Sequence, residues 1–194
     1  MSYNSSSAAL VAQIDSRSPD LVLEKTKPHR LGTNGAALLA QKLVDSSGEY
    51  ASILRSISIS NSGLTSEGLV ALIGALFPRP LTRTGFAAPL MIAYTNLTSI
   101  SLKSNDIGSR GVKALAQVLL QDNKLTHLDL YDNSLGNASV RPLLEALRVN
   151  SGLETLNLWY NRLSTEVASL MASVMKYNTG LKSLLLGGND FGDD

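Results

Sequence analysis

The 194-residue sequence contains no cysteine, few aromatic residues and almost no net charge. Without cysteine the chain can form no disulfide framework and no thiolate metal site, and this favours a reducing, intracellular compartment. The formal net charge is +1 and Lys and Arg are not clustered, so we expect no electrostatic capture of nucleic acid or of an anionic membrane. Only His29 and His127 could offer imidazole, and no ligand cluster has usable spacing. We therefore predict no metal and no cofactor.

Long hydrophobic runs are also missing. The two longest, 69–77 and 86–94, are separated by prolines and arginines, and both are shorter than the roughly 20 residues of a membrane-spanning helix. The first residues include no basic segment and only a short apolar stretch, so no signal peptide is expected. The sequence thus predicts a soluble, cytoplasmic protein, and its hydrophobic content of 44 % suffices for a core.

What the sequence does contain is a repeat with a period of 28 residues. The string L-x-x-L-x-L-x-x-N-x-L occurs four times in phase, starting at Leu97, Leu125, Leu153 and Leu181. In L-x-L the leucines point to one side of a short strand and the intervening residue to the other. The asparagine follows the strand, where its amide can satisfy turn backbone groups of its own and neighbouring repeats. This structural row comprises Asn105, Asn133, Asn161 and Asn189.

Earlier copies are less regular. One runs from Leu54 to Leu64, with Ser62 in place of the asparagine, and another is recognisable only in its helical half from residue 31. Leu21 and Leu23 are interpreted as a degenerate first strand. We therefore predict a flexible N-terminal tail over 1–20 and a repeat array over 21–194. The array has about five to six repeats, the last of them incomplete, and at this open end Val174, Leu184 and Leu186 are expected to be poorly covered.

Each strand is followed by apolar residues at helical spacing, for example Val112, Leu115, Ala116 and Leu119. Stacked strand–turn–helix units predict an α/β fold: a right-handed solenoid, curved as a horseshoe, with a parallel sheet on the concave face and helices on the convex face. The first polar residue of each helical segment is predicted to be its N-cap. These residues are Thr33, Ser66, Ser109, Asn137 and Thr165.

The repeat string resembles ribonuclease-inhibitor-like leucine-rich repeats, most specifically over 97–194. This type also occurs in the Ran GTPase-activating protein, in nucleotide-binding immune receptors and in actin-capping relatives such as tropomodulin. The resemblance implies a protein–protein interaction module or scaffold with a protein partner, and no enzyme. Two alternatives stay open: a GTPase-activating regulator of the Ran type, which a GTP-turnover assay would reveal, and a sensing fragment of an immune-type receptor.

One interval breaks the period. Leu54 and Leu97 are 43 residues apart, which places an insertion within 77–96. With its prolines, arginines and Phe86, this segment is either a binding loop above one rim of the solenoid or an insertion that the array tolerates and packs against its own repeat.

The residues that face away from the helices form columns across the repeats. They are small and polar in the first rows, whereas aromatic and charged residues gather in the middle. Neighbouring strands lie about 4.8 Å apart, so these side chains can form one patch. Binding energy concentrates in Trp, Tyr and Arg; alternatively, the aromatic rings cover neighbouring repeats. The predicted partner-binding residues are Tyr131, Trp159, Tyr160, Asp129, Asp132, Asn157, Arg162, Glu154 and Lys103.

A catalytic triad is the weaker interpretation of the same region. His127 and Asp129 share one strand face, and Ser99 and Ser101 are expected on the adjacent strand. However, a solvated sheet face provides neither a nucleophile elbow nor fixed donors for an oxyanion. We therefore predict no enzymatic activity.

Overall fold

The computed structural model describes residues 5–23, 31–46, 50–77, 94, 96–122 and 124–192, in which helices and strands alternate. Within these residues no helix is long and apolar enough to cross a membrane. The elements in chain order are α1 (Ser5–Asp15), β1 (Asp20–Leu23), α2 (Gly32–Asp45), β2 (Ser56–Ile59), α3 (Ser66–Leu76), β3 (Ser99–Ser101), α4 (Gly108–Leu119), β4 (His127–Asp129), α5 (Gly136–Ala146), β5 (Thr155–Asn157), α6 (Thr165–Met175) and β6 (Ser183–Leu185).

The strands form one parallel sheet in the order β1 to β6, so each strand pairs with its neighbours in sequence. The register follows the repeat period: Ile100 lies opposite Leu128, Leu128 opposite Leu156, and Leu156 opposite Leu184. Residues 28 positions apart are thus spatial neighbours. The predicted α/β solenoid with its parallel sheet is confirmed, and so is the degenerate strand at Leu21 and Leu23.

The core lies between the sheet and the helices. The repeat leucines enter it in order, and Leu125, Leu128 and Leu130 are each at most 1 % exposed. The helical residues Val112 and Val140 are fully buried against them. Each repeat therefore buries its leucines against its own helix and against the next repeat, which is why the repeats are stable only as a stack. The other face of the sheet, called the open sheet face below, carries the residues between these leucines.

A second asparagine row, which the sequence analysis missed, lies at the turns from helix to strand. Nδ2 of Asn150 donates to the carbonyl oxygens of Leu119 (2.8 Å) and Asp122 (2.9 Å) in the preceding repeat. Nδ2 of Asn178 donates in the same way to the carbonyl oxygens of Leu147 and Asn150. Both ends of the repeat are thus connected to the previous repeat by an amide side chain. The 28-residue spacing of these two asparagines could have identified the row.

The N-terminal residues differ from the prediction of a flexible tail. Ser5–Asp15 is helical as α1, and Leu10 and Ile14 are at most 3 % exposed. The side chain of Gln13 bonds to both backbone groups of Val22 in β1. Helix α1 therefore covers the first strand, and the weak amphipathic pattern of its Ser- and Ala-rich sequence explains why the prediction was wrong.

The predicted N-caps are also displaced. The helices begin one or two residues earlier, and of the five predicted residues none is the cap. Thr65 caps α3 by accepting a hydrogen bond from the Gly68 N–H (3.2 Å). The polar residue inside the first turn instead reaches the next repeat, as when Ser66 Oγ accepts from the Gly111 N–H (3.1 Å). It therefore connects neighbouring helices and does not cap its own.

Two further expectations concern the insertion and the last repeat. Residues 78–93 of the insertion lie outside the described residues, but Tyr94 is 2 % exposed and donates to the Leu43 carbonyl oxygen (2.7 Å). The C-terminal part of the insertion is therefore anchored in the core. In the last repeat Leu184 and Leu186 are half-buried as expected, whereas Val174 is fully buried, so its predicted exposure was wrong.

Candidate protein-binding surface

Asparagine side chains fix the turns that follow the strands. Asn161 is fully buried: its Nδ2 donates to the Leu130 carbonyl oxygen (2.8 Å), and its Oδ1 accepts from the Asn133 N–H (3.1 Å). Asn133 makes the equivalent contacts with the repeat before it, as does Asn189 with the Asn161 repeat. Asn105 Nδ2 donates in the same way to the Ile59 carbonyl oxygen of the preceding repeat, although the insertion separates these two repeats further in sequence. The exit turns are therefore held in a fixed relation to one another.

The residue that leaves each strand has a left-handed backbone. The φ angles of Ser104, Asp132 and Tyr160 are 51°, 53° and 53°. The equivalent residue of the last repeat is Gly188, at 67°. For a tyrosine this conformation costs about 1 kcal/mol relative to glycine, because Cβ approaches the following carbonyl oxygen. The stack of turns therefore imposes a conformation that Tyr160 by itself does not favour.

Three aromatic rings form one cluster on the open sheet face. The rings of Tyr131 and Tyr160 meet edge to face with centroids 5.4 Å apart, and those of Trp159 and Tyr160 do so at 6.2 Å. Trp159 and Tyr160 are still 40 % and 49 % exposed. They lie over Gly187 and Gly188, where a Cβ atom would come within 2.7 Å and 2.5 Å of the rings. The rings thus both contact a neighbouring repeat and present a large apolar area to solvent.

The other predicted residues surround this cluster in two ways. Asp129 and Asn157 position its backbone, since their Oδ1 atoms accept from the N–H groups of Tyr131 (3.1 Å) and Trp159 (3.0 Å). Asp129 also forms an ion pair with Lys103 at 3.1 Å.

Glu154 forms an ion pair with Lys182 at 2.6 Å. The hydrogen bond from Lys182 holds the pKa of the partly exposed Glu154 carboxyl below its ordinary value. The Asp129–Lys103 pair therefore lies beside the aromatic cluster, whereas the Glu154–Lys182 pair lies at the start of β5.

Asp132 and Arg162 lie at the strand-exit edge, where they line an open groove of about 570 Å³ together with Tyr160. Ser104 Oγ donates to one carboxylate oxygen of Asp132 (3.0 Å). The remaining lining residues could not be recognised from the sequence, because the turns bring together positions from three successive repeats. These residues are Ser134, Ser164, Gly188, Asn189 and Asp190.

The residues considered for a catalytic triad do not form one. Ser99 pairs with His127 and Ser101 with Asp129 in the sheet register, as expected. However, His127 Nδ1 is bonded to Thr126 Oγ1 (2.8 Å), and no hydrogen bond joins the imidazole to Asp129 or to either serine among the residues that the structure describes. Within the same residues, no group of acidic or histidine side chains could hold a metal ion.

Comparison with known proteins identifies the repeat. Residues 95–116 and 121–144 match the family described as Leucine Rich repeat. The two repeats over these residues are leucine-rich repeats. The fold is similar to that of a solved structure, the Leiomodin-1 Actin-Binding Site 2, with a TM-score of 0.55 and 16 % sequence identity. This likeness covers 86 % of this chain and 87 % of the other. No curated protein sequence matches the chain.

Proposed function

We propose that this leucine-rich-repeat chain is a protein–protein interaction module of the ribonuclease-inhibitor-like kind, without enzymatic activity of its own. Its partner binds the open (concave) sheet face and the adjoining strand-exit turns. The predicted partner-binding residues of the middle repeats would form the contact, with Tyr131, Trp159 and Tyr160 at its centre.

The observation that carries this proposal is the aromatic cluster. Two of its rings are nearly half exposed, although their backbone is fixed by hydrogen bonds from Asn161 Nδ2 to the Trp159 carbonyl oxygen and from the Tyr160 N–H to the Gly187 carbonyl oxygen. A rigid aromatic surface loses little conformational entropy when a partner binds, and Tyr and Trp often supply about 2 kcal/mol or more at interface hot spots. The Lys103–Asp129 ion pair beside the cluster would form part of the polar rim of such an interface.

Capture from the lysate of the native organism tests the proposal. The tagged chain is compared with a Tyr131→Ala/Trp159→Ala double variant and with Tyr177→Ala, which removes another exposed aromatic residue outside the open sheet face. We expect the double variant to lose the captured protein and Tyr177→Ala to keep it, with thermal melts of all three within a few degrees. Equal capture by the wild type and the double variant would place the interface elsewhere.

Actin is the first purified partner to test, because the similar solved structure is an actin-binding site of leiomodin. Co-sedimentation with filaments and a binding assay with monomers, each with the same two variants, would decide whether this partner also applies here. Binding that the double variant retains would exclude the open sheet face as an actin site, and no binding would exclude actin while leaving other protein partners.

A further inference from the structure

The groove at the strand-exit edge offers two carboxylates, an aromatic ring and two hydroxyl groups to the partner. We propose that it receives a basic side chain, arginine or lysine, from the protein that binds the open sheet face. This inference rests on the proposed function and adds the chemistry of one partner residue. The groove is open, about 570 Å³ in volume, and lies next to the aromatic cluster, with which it shares Tyr160.

The charges of the lining favour a cation. Asp132 and Asp190 contribute two negative charges and Arg162 one positive charge, so the formal sum is −1. Ser104 occupies one oxygen of Asp132 and leaves the other as an acceptor. In the part of the chain that the structure describes, neither Asp190 nor Arg162 forms an ion pair. Both carboxylates can therefore bind a cationic side chain, and together they outweigh the single positive charge of Arg162.

Tyr160 gives the groove a surface on which a cation can lie. Its ring is held against Gly188 and between the rings of Tyr131 and Trp159, yet half of the side chain is exposed. A guanidinium or ammonium group within about 6 Å of such a ring is attracted by the quadrupole of its face. An arginine could contact the ring and a carboxylate at once, because its guanidinium is planar and carries several donors.

The exit turns determine where both side chains begin. Tyr160 and Arg162 have left-handed φ angles, 53° and 58°, as do the equivalent residues of the preceding repeat, Asp132 and Ser134. The surrounding stack of turns imposes this conformation, so the backbone that carries the groove residues is fixed. All four residues line the same groove.

Titration with N-acetyl-argininamide, followed by two-dimensional NMR of the isotope-labelled chain, tests the proposal directly. N-acetyl-norleucinamide serves as the neutral control ligand. We expect saturable shifts of the backbone amides at Asp132, Arg162 and Asp190 with the cationic ligand only. The Asp132→Asn/Asp190→Asn double variant should bind it about fivefold more weakly, as expected for the loss of two partly exposed ion pairs.

Asp106→Asn is the matched control variant. Asp106 has the same position in its repeat as Asp190, three repeats earlier, and it does not line the groove. It should leave the titration unchanged. An equal loss in Asp106→Asn, undiminished binding in the double variant, or saturable binding of N-acetyl-glutamate in place of the cation would each overturn the proposal. The last result would make Arg162 the centre of an anion site.

The failure of this proposal can be distinguished from failure of the proposed function. The captured partner is tested against the Asp132→Asn/Asp190→Asn variant and against the Tyr131→Ala/Trp159→Ala variant. If only the aromatic variant loses the partner, the chain binds through its open sheet face and the cation groove is refuted. If both lose it, and the argininamide titration is positive, the groove is supported as part of the interface.

Discussion

Replacing Asn161 with alanine should destabilise the solenoid more than any substitution on its open face. Asn161 Oδ1 accepts from the N–H groups of Asn133 (3.1 Å) and Leu135 (3.4 Å), which would lose their acceptor in a buried turn. The two carbonyl groups that it serves keep other donors: Asn133 Nδ2 for Leu130 and the Asp132 N–H for Trp159. Two buried unsatisfied donors cost about 3 kcal/mol together, the longer bond contributing less.

Equilibrium unfolding in urea measures this loss of free energy, and Asn157→Ala is its control. Asn157 is also an asparagine that bonds to a turn N–H, but it is only half-buried and accepts one bond, from Trp159. Its replacement should cost less than about 1 kcal/mol. The reasoning fails if the two variants lose equal stability at an unchanged m-value, because the asparagine row would then contribute no more than any polar surface residue.

Three other perturbations follow from the structure. Gly180→Ala should destabilise by about 2 kcal/mol in the same urea assay, because its Cβ would overlap the Ser151 backbone, whereas Gly74→Ala, with open space inside a helix, should be neutral or slightly stabilising. Tyr160→Gly should change stability by less than about 1 kcal/mol, since relief of the left-handed backbone offsets the lost ring contacts, but it should weaken partner capture. Burial raises the pKa of Tyr94 from 10.0 to about 12, so the folded state binds this proton more tightly and loses stability as the pH rises from 10 to 12. A titration followed by tyrosinate absorbance should show Tyr94 ionising well above pH 10. Ionisation of Tyr94 together with the exposed tyrosines would contradict this prediction.

The sequence was sufficient to predict the fold because the period itself encodes neighbours. Residues 28 positions apart in a solenoid must lie side by side, so the leucine and asparagine columns by themselves define the sheet register. The helix starts and the N-terminal segment were harder to predict. Ser66 and Asn137 are good N-cap residues by type, but their side chains bond to the following repeat, and one repeat considered alone cannot show this.

The candidate surface was predictable only in part, for the same reason. Exposed columns identified Tyr131, Trp159 and Tyr160, because alternation along a strand decides which side a residue faces. The groove depends instead on turns from three repeats that converge, and Asp190 and Ser164 gave no sign of it. Their positions follow from the left-handed backbone of the exit turns. A sequence suggests such a backbone only where glycine or asparagine occupies the turn, as glycine does at Gly188.

The packing role of the aromatic cluster and the binding role proposed for it do not compete. Trp159 and Tyr160 do cover the glycines of the next repeat, as the purely structural interpretation requires. Yet this contact uses only part of each ring, and what it fixes is the orientation of the exposed remainder. A ring already held in place needs no ordering when a partner arrives, so the packing that stabilises the array also lowers the entropic cost of binding. The two roles can be tested by enlarging the glycine beneath the ring. Gly187→Ala should displace the Trp159 ring and weaken capture of the partner, although every aromatic side chain is still present.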